Sequence, residues 1–412
     1  MPPAAEPSMT STATATVKPG GAPRRRRRRW LVLVALLILV ILIVLHHFRL
    51  RPGHELHGTI AAAGGQSVLT SWLQNAEPAA WDAADNRIII SRRRPNGLWS
   101  VYTIRPDGLD EQCITCRVPS FPGVGAATNR GAFDVSPNGR YVLITVEKGS
   151  HPGTIGATGT LPGKGVFNDI WLVTIKGTHA WRLTDIPTSP NDGIIWPRFD
   201  RTGTQVVWSQ MHQGPDLSHP LGQWAMKVAR LQWTAGTPHL VDLRTYDPEP
   251  GRFFEPYEFS PNDQRILFAS DIHVPSGFLS PTAFNSQIWT IDAAHLDDLR
   301  RVSPPDPIHG MFSDYNEFAF YIPGTDRILF ARTFEATAHG LDYWTVDSNG
   351  ADPRRVTFMN EPGNPEYLGY SQALGLAFDP HDPRLIVTGL SHELGTKSVQ
   401  AVFIKLGANV LR

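Results

Sequence analysis

Three glutamates stand at one offset in a recurring stretch of this chain. Glu77, Glu255 and Glu317 each lie four residues ahead of an aromatic, Trp81, Phe259 or Tyr321, at which a short apolar run gives way to a polar turn. Carboxylates gathered from separate segments can bind a hard cation such as calcium, or hydrogen-bond a hydroxyl-rich ligand. The competing reading is that a glutamate here caps contacts between repeats or faces water. The same offset elsewhere holds Gly131, Ile195 and Leu374.

Histidines supply the other candidate chemistry. His151, His212, His219, His273, His309, His339 and His392 fall in the longer insertions, with no HxH or HExxH spacing among them. His273 or His339 beside Glu255 or Glu317 would make a mixed imidazole and carboxylate site; as solvated loop residues they would do nothing of the kind. The two cysteines, Cys113 and Cys116, form CITC followed by Arg117, so the CxxCH of haem attachment is absent, and there is no second pair to complete a structural zinc site. A local disulfide, free thiols and a redox or metal role remain as readings, the disulfide being the plainest outside the cytoplasm. There is no GxSxG elbow and no GxxxxGK[ST] phosphate loop.

The elements that position these residues follow from a repeat. Aligned on Trp81, Val135, Phe199, Phe259, Tyr321 and Phe378, six units recur about every 54–64 residues. Each reads as a short strand, a Pro/Asn/Asp/Gly turn as in FDVSPNGRYVLIT or YEFSPNDQRILFAS, an alternating strand, an insertion, a third strand such as DIWLVTI or LDYWTVD, and usually a fourth such as WRLTD or RRVTF. Four antiparallel strands per unit predict an all-β fold, a six-bladed β-propeller, since one blade cannot bury its own apolar faces. The last unit lacks a fourth strand, and QSVLTS (66–71) has the right form to close the ring. Turns between strands one and two would share one side of the ring. Long insertions between strands two and three (147–169, 211–223, 271–285, 332–340) and the connection at 359–371 would share the other, which is the candidate binding side. Its aromatics include Phe278, Phe284, Phe312, Phe334, Tyr367 and Tyr370.

The stretches FEPYEFSPNDQRILFAS, DYWTVDSNGADPRRVTF and EPAAWDAADNRIII resemble the repeats of TolB-like six-bladed propellers, over roughly residues 66–406. That resemblance implies the fold and little about ligand. The additional α/β domain of TolB has no counterpart between the N-terminal segment and the first propeller strand.

Residues 1–29 are rich in Pro, Ala and Thr and end in six arginines. Sixteen uncharged residues follow, from Trp30 to Leu45, spanning about 24 Å as a helix. With 30–48 taken together, the segment predicts a single transmembrane anchor, its arginines cytoplasmic and the remainder outside, periplasmic or extracellular. A cleaved signal peptide is the alternative. The domain map is then a basic tail (1–29), an anchor (30–48), a linker (49–65) and a propeller (66–412). Residues 1–29 hold seven of the 38 basic and one of the 38 acidic residues, so the remainder is acidic, which argues against a nucleic-acid partner. The functional expectation is a membrane-tethered module that binds a protein, peptide or glycan through its long-loop side without catalysis. The alternative is a metal-assisted sugar lyase or hydrolase with its site at the channel mouth.

Overall fold

The computed structural model describes residues 56–411 apart from 62–66, 120, 123, 125–126, 150–159, 162, 217, 220, 275–284, 305–314, 334–339, 370 and 392–398. The expected anchor at 30–48 and His339 lie outside the described residues, and no described helix is long and apolar enough to cross a membrane.

The chain begins with β1 (Thr59–Ala61) and β2 (Ser67–Gln74), which pair with each other. The first discrete sheet is β3 (Ala76–Asp82), β4 (Arg87–Arg93), β5 (Trp99–Ile104) and β6 (Gln112–Cys113). The second is β7 (Arg130–Val135), β8 (Tyr141–Glu147), β9 (Asn168–Thr174) and β10 (Ala180–Arg182). The third is β11 (Gly193–Phe199), β12 (Gln205–Gln213), β13 (Gln223–Thr234) and β14 (Thr237–Tyr246). The fourth is β15 (Phe254–Phe259), β16 (Arg265–Ser270), β17 (Gln287–Asp292) and β18 (Arg300–Arg301). The remaining strands, β19 (Asn316–Tyr321), β20 (Arg327–Thr333), β21 (Leu341–Asp347), β22 (Arg354–Arg355), β23 (Gln372–Asp379), β24 (Asp382–Ser391) and β25 (Val399–Leu406), join β1 and β2 in one nine-stranded sheet.

First strands neighbour one another in turn: β3 and β7, β7 and β11, β11 and β15, β15 and β19, β19 and β23, and β23 and β3 again. The fold is an all-β propeller with four-stranded antiparallel blades. Six separate blades are expected from the sequence, whereas four stand as discrete sheets here. The difference is physical: a parallel pairing of Leu341 with Gln372 links β21 to β23 and makes one hydrogen-bonded sheet of the last strands.

Stacking explains why the second strands are apolar on both sides. Ile88 and Ile90 pack with Ala377, Val387 and Ala401 of the nine-stranded sheet, while Ile89 between them packs with Ala132, Val142 and Ile144 of the second blade. Alternation with period two sends neighbouring residues to opposite neighbours. Burying each isoleucine contributes about 1.5–3 kcal/mol.

Strand β2 pairs antiparallel with β25, Ser67 opposite Leu406 and Gln74 opposite Gln400. The side chain of Gln400, fully buried, clamps the incoming chain: Leu56 N–H donates to its Oε1 (2.9 Å), and its Nε2 donates to Leu56 O (2.7 Å) and Ser71 Oγ (2.9 Å).

Candidate functional site

Register sets which end of each inner strand faces which loops. Glu77 pairs with Ser91, Glu255 with Ala269 and Glu317 with Ala331, so all three glutamates lie near the ends where second strands leave, β16 and β20 for longer insertions and β4 for the short turn at 94–98. Glu255 and Glu317 are 5% exposed and Glu77 is partly buried. Burial raises Glu77 and Glu317 to about 7 and holds Glu255 well above the carboxylate range, where the charge of Glu317 raises it further. A single cation, Lys164, is close enough to lower all three. Tyr315 donates its hydroxyl to Glu317 Oε2 (2.7 Å), and Gln372 Nε2 donates to Oε1 (3.4 Å). Three glutamates at equivalent places on inner strands, within the electrostatic reach of one lysine, make an acid mouth.

Lys164 is the participant that sequence reasoning missed. It sits in the variable insertion between β8 and β9, where repeat alignment carries no signal.

The histidines do not join this mouth. The imidazole of His273 is mostly exposed, pairs through Nδ1 with the Glu249 carboxylate and lies edge-on to Trp289 at 5.8 Å. Nothing described brings it to Glu255 or Glu317; its residue, after β16, has a left-handed conformation (φ 62°). His212 pairs with Asp247 (3.7 Å) and His219 with Asp216 (3.1 Å). Each of these three histidines therefore lies beside a local carboxylate. Cys113 and Cys116 form a disulfide, with Cα atoms 5.4 Å apart, at the end of β6 and in the turn beyond it.

Below the acid mouth the channel is filled. Every inner strand breaks register just past the glutamate position, between Pro78 and Ala80, Ala132 and Asp134, Ile195 and Arg198, Pro256 and Glu258, Glu317 and Phe320, and Ala373 and Leu376. A bulge adds one residue and re-aims the side chains around it. Two of the re-aimed residues, Trp196 and Phe318, have φ near +50°, a conformation that non-glycine residues seldom adopt. Together with Phe133 and Tyr257 they make an aromatic plug: Trp196 lies 5.3 Å from Phe133, 5.6 Å from Tyr257 and 5.6 Å from Phe318.

Beyond the plug lies an arc of charge from three successive blades. Arg198, 4% exposed, has its guanidinium 5.0 Å from the Trp196 ring centre and 5.3 Å from that of Phe320. Its Nη1 donates to the carbonyls of Phe133 on the second blade and Ala79 on the first. Desolvation pushes it below the usual arginine range, opposed first by Asp134 and then by Glu258. Asp134 accepts from the backbone N–H groups of Phe199 (2.8 Å) and Val135 (2.9 Å). Glu258 accepts from Arg201 and from Tyr321 N–H. Alternation was written in the repeat: the residue before the aligned position reads Asp134, Arg198 and Glu258 in three successive units.

No protein-family model matches the chain, and no curated protein does. Similar solved structures include a putative TolB from Agrobacterium tumefaciens, at 13% identity over 73% of this chain and 87% of that one, TM-score 0.44. TolB from Acinetobacter baumannii matches at 10% identity over 81% of this chain, which spans 64% of its length, TM-score 0.45. An oligogalacturonate lyase in complex with manganese matches at 10% identity over 88% of this chain and 100% of that one, TM-score 0.48.

Proposed function

We propose that this chain is a membrane-anchored, extracytoplasmic binding module that takes a protein, peptide or glycan ligand at its long-loop side, without catalysis of its own. In this reading the nine-stranded sheet is two blades joined by one parallel pairing, which makes the propeller six-bladed. The domain map is a basic tail, an anchor at 30–48, a linker and a propeller from residue 66 closed by 66–71. The ligand's contact point is the acid mouth.

The observation that supports the reading best is the equivalent placement of Glu77, Glu255 and Glu317, opposite Ser91, Ala269 and Ala331, within the electrostatic reach of Lys164. Carboxyl groups poised between protonated and ionised can donate to a hydroxyl or accept from an amide or ammonium. Lys164 is an exposed counter-cation that a ligand's own positive or hydrogen-bonding group would replace.

A second reading, a metal-assisted sugar lyase or hydrolase, draws on the same pair of interacting carboxylates, Glu255 and Glu317. Oxygen ligands suit a divalent cation such as calcium, which would compete with Lys164 for them.

Metal analysis of purified residues 51–412 and cross-linking to membrane extracts, each with the wild type and a Glu255→Gln/Glu317→Gln variant, separate the readings. A binding module yields a cross-linked partner that the folded double variant loses. Equal capture by both proteins sinks the acid mouth as the contact. A tightly held cation, lost in the variant, favours the enzyme.

A further inference from the structure

The channel's other end carries a feature that the acid mouth does not use. A cavity of about 570 Å³ opens among the tight turns between first and second strands, under the aromatic plug. Four acids line it, Asp82, Asp134, Asp200 and Glu258, against two arginines, Arg198 and Arg201, so its formal charge is negative. Trp81, Phe320 and Phe378 add apolar surface, as do prolines of the turns. The volume falls within the range of small-molecule sites.

Most of these charges are already satisfied within the protein. Asp200 accepts from the hydroxyls of Thr202 and Thr204 and from the N–H groups of Thr204 and Gln205. Both oxygens of Asp134 accept backbone N–H groups, and Glu258 is held by Arg201 and Tyr321. Asp82 differs. It is 2% exposed; its Oδ1 accepts from Ala84 N–H (3.1 Å), and its Oδ2 has no partner. A buried carboxylate oxygen left without a donor costs free energy that an incoming donor recovers. The backbone holds it there, for a Cβ on Gly139 of the next blade would stand 2.8 Å from Asp82 Oδ1.

We propose that this tight-turn cavity is a second binding site, separate from the acid mouth, and that it takes a small organic cation, an amine or guanidinium whose N–H groups reach Asp82 and whose apolar body lies against the aromatic wall. An excess of carboxylates favours positive charge over an anion. A neutral sugar would leave that excess uncompensated in a partly desolvated space. Aromatic faces add cation–π attraction, as they already do for Arg198.

Calorimetric titration of the full-length chain in detergent tests this, with 1,5-diaminopentane as probe and with maltose and succinate as neutral and anionic comparisons. The diamine is expected to bind once per chain and the other two not to bind. Asp82→Asn should weaken diamine binding by about tenfold or more. Ala83→Arg, which sets a competing cation on an exposed residue of the cavity's lining, should abolish it, while Asp242→Asn on the exposed outer hairpin should leave it unchanged. Absence of diamine binding, or maltose binding in its place, overturns the proposal. So does diamine binding that survives both Asp82→Asn and Ala83→Arg, because the amine then sits elsewhere, the acid mouth included.

Discussion

Trp196 on β11 reaches Gly375 on β23: a Cβ built on Gly375 would stand 2.9 Å from Trp196 Cη2. The two residues belong to different inner strands, so the indole crosses the channel and only a residue without a side chain accommodates its tip. Replacing Gly375 by valine should destabilise the fold by about 1–3 kcal/mol through overpacking. Trp196→Ala should cost about 3–5 kcal/mol and leave a cavity joining the two ends of the channel. Denaturant midpoints check both, and the double variant should cost less than the sum of its singles, since the residues share one contact. Strict additivity would mean that the contact carries no energy.

Stability should fall as pH rises through the acid mouth. In the unfolded chain Glu317 titrates near its ordinary 4.5, and in the fold it titrates at about 7. Between those values the native state binds more protons than the unfolded state, so unfolding free energy declines over that window and is lowest above it. Glu317→Gln removes the titrating group and should raise stability at pH 8 by on the order of 1–3 kcal/mol, with little change at pH 4. Thermal melts across pH 4 to 8 give the answer, and a variant whose profile parallels the wild type refutes it.

Removing Arg198 should be costly for a reason separate from packing. Asp134 and Glu258 are half-buried beside it and lose their largest or shared counter-charge when it goes. Arg198→Met is expected to destabilise by about 3–5 kcal/mol, and adding Asp134→Asn should return part of that loss. Urea unfolding of the two single variants and the double measures the recovery; none would show that the charges are solvated independently.

Closure of the ring depends on Gln400. Truncation to alanine leaves the N–H and C=O of buried Leu56 without their partner. The expected cost is about 2–4 kcal/mol, together with faster amide hydrogen exchange along β2. Exchange that quickens uniformly over all blades would instead indicate a global effect.

Strand grammar was legible in the sequence because each blade solves its own local problem: polar turn, alternating strand, apolar third strand. The offset that picked out Glu77, Glu255 and Glu317 was legible too, since equivalent residues of a repeat occupy equivalent places in the ring. Disulfide pairing of Cys113 with Cys116 is local and could be anticipated on spacing. His273 misled, because sharing the long-loop side does not put it beside Glu255, and its imidazole pairs with Glu249 instead.

By itself, then, the sequence determined an all-β repeat, its strands and turns, and which position carries the acid. Tertiary structure alone decided that Lys164 from a variable insertion would come within electrostatic reach of all three glutamates. It also decided that bulges would swing Trp196 and Phe318 into an aromatic plug, and that the last strands would merge through Leu341 and Gln372. The physical reason is range. Turn and strand preferences act between near neighbours along the chain, while desolvation, charge coupling and the filling of a shared channel depend on residues hundreds of positions apart that meet only when the ring closes.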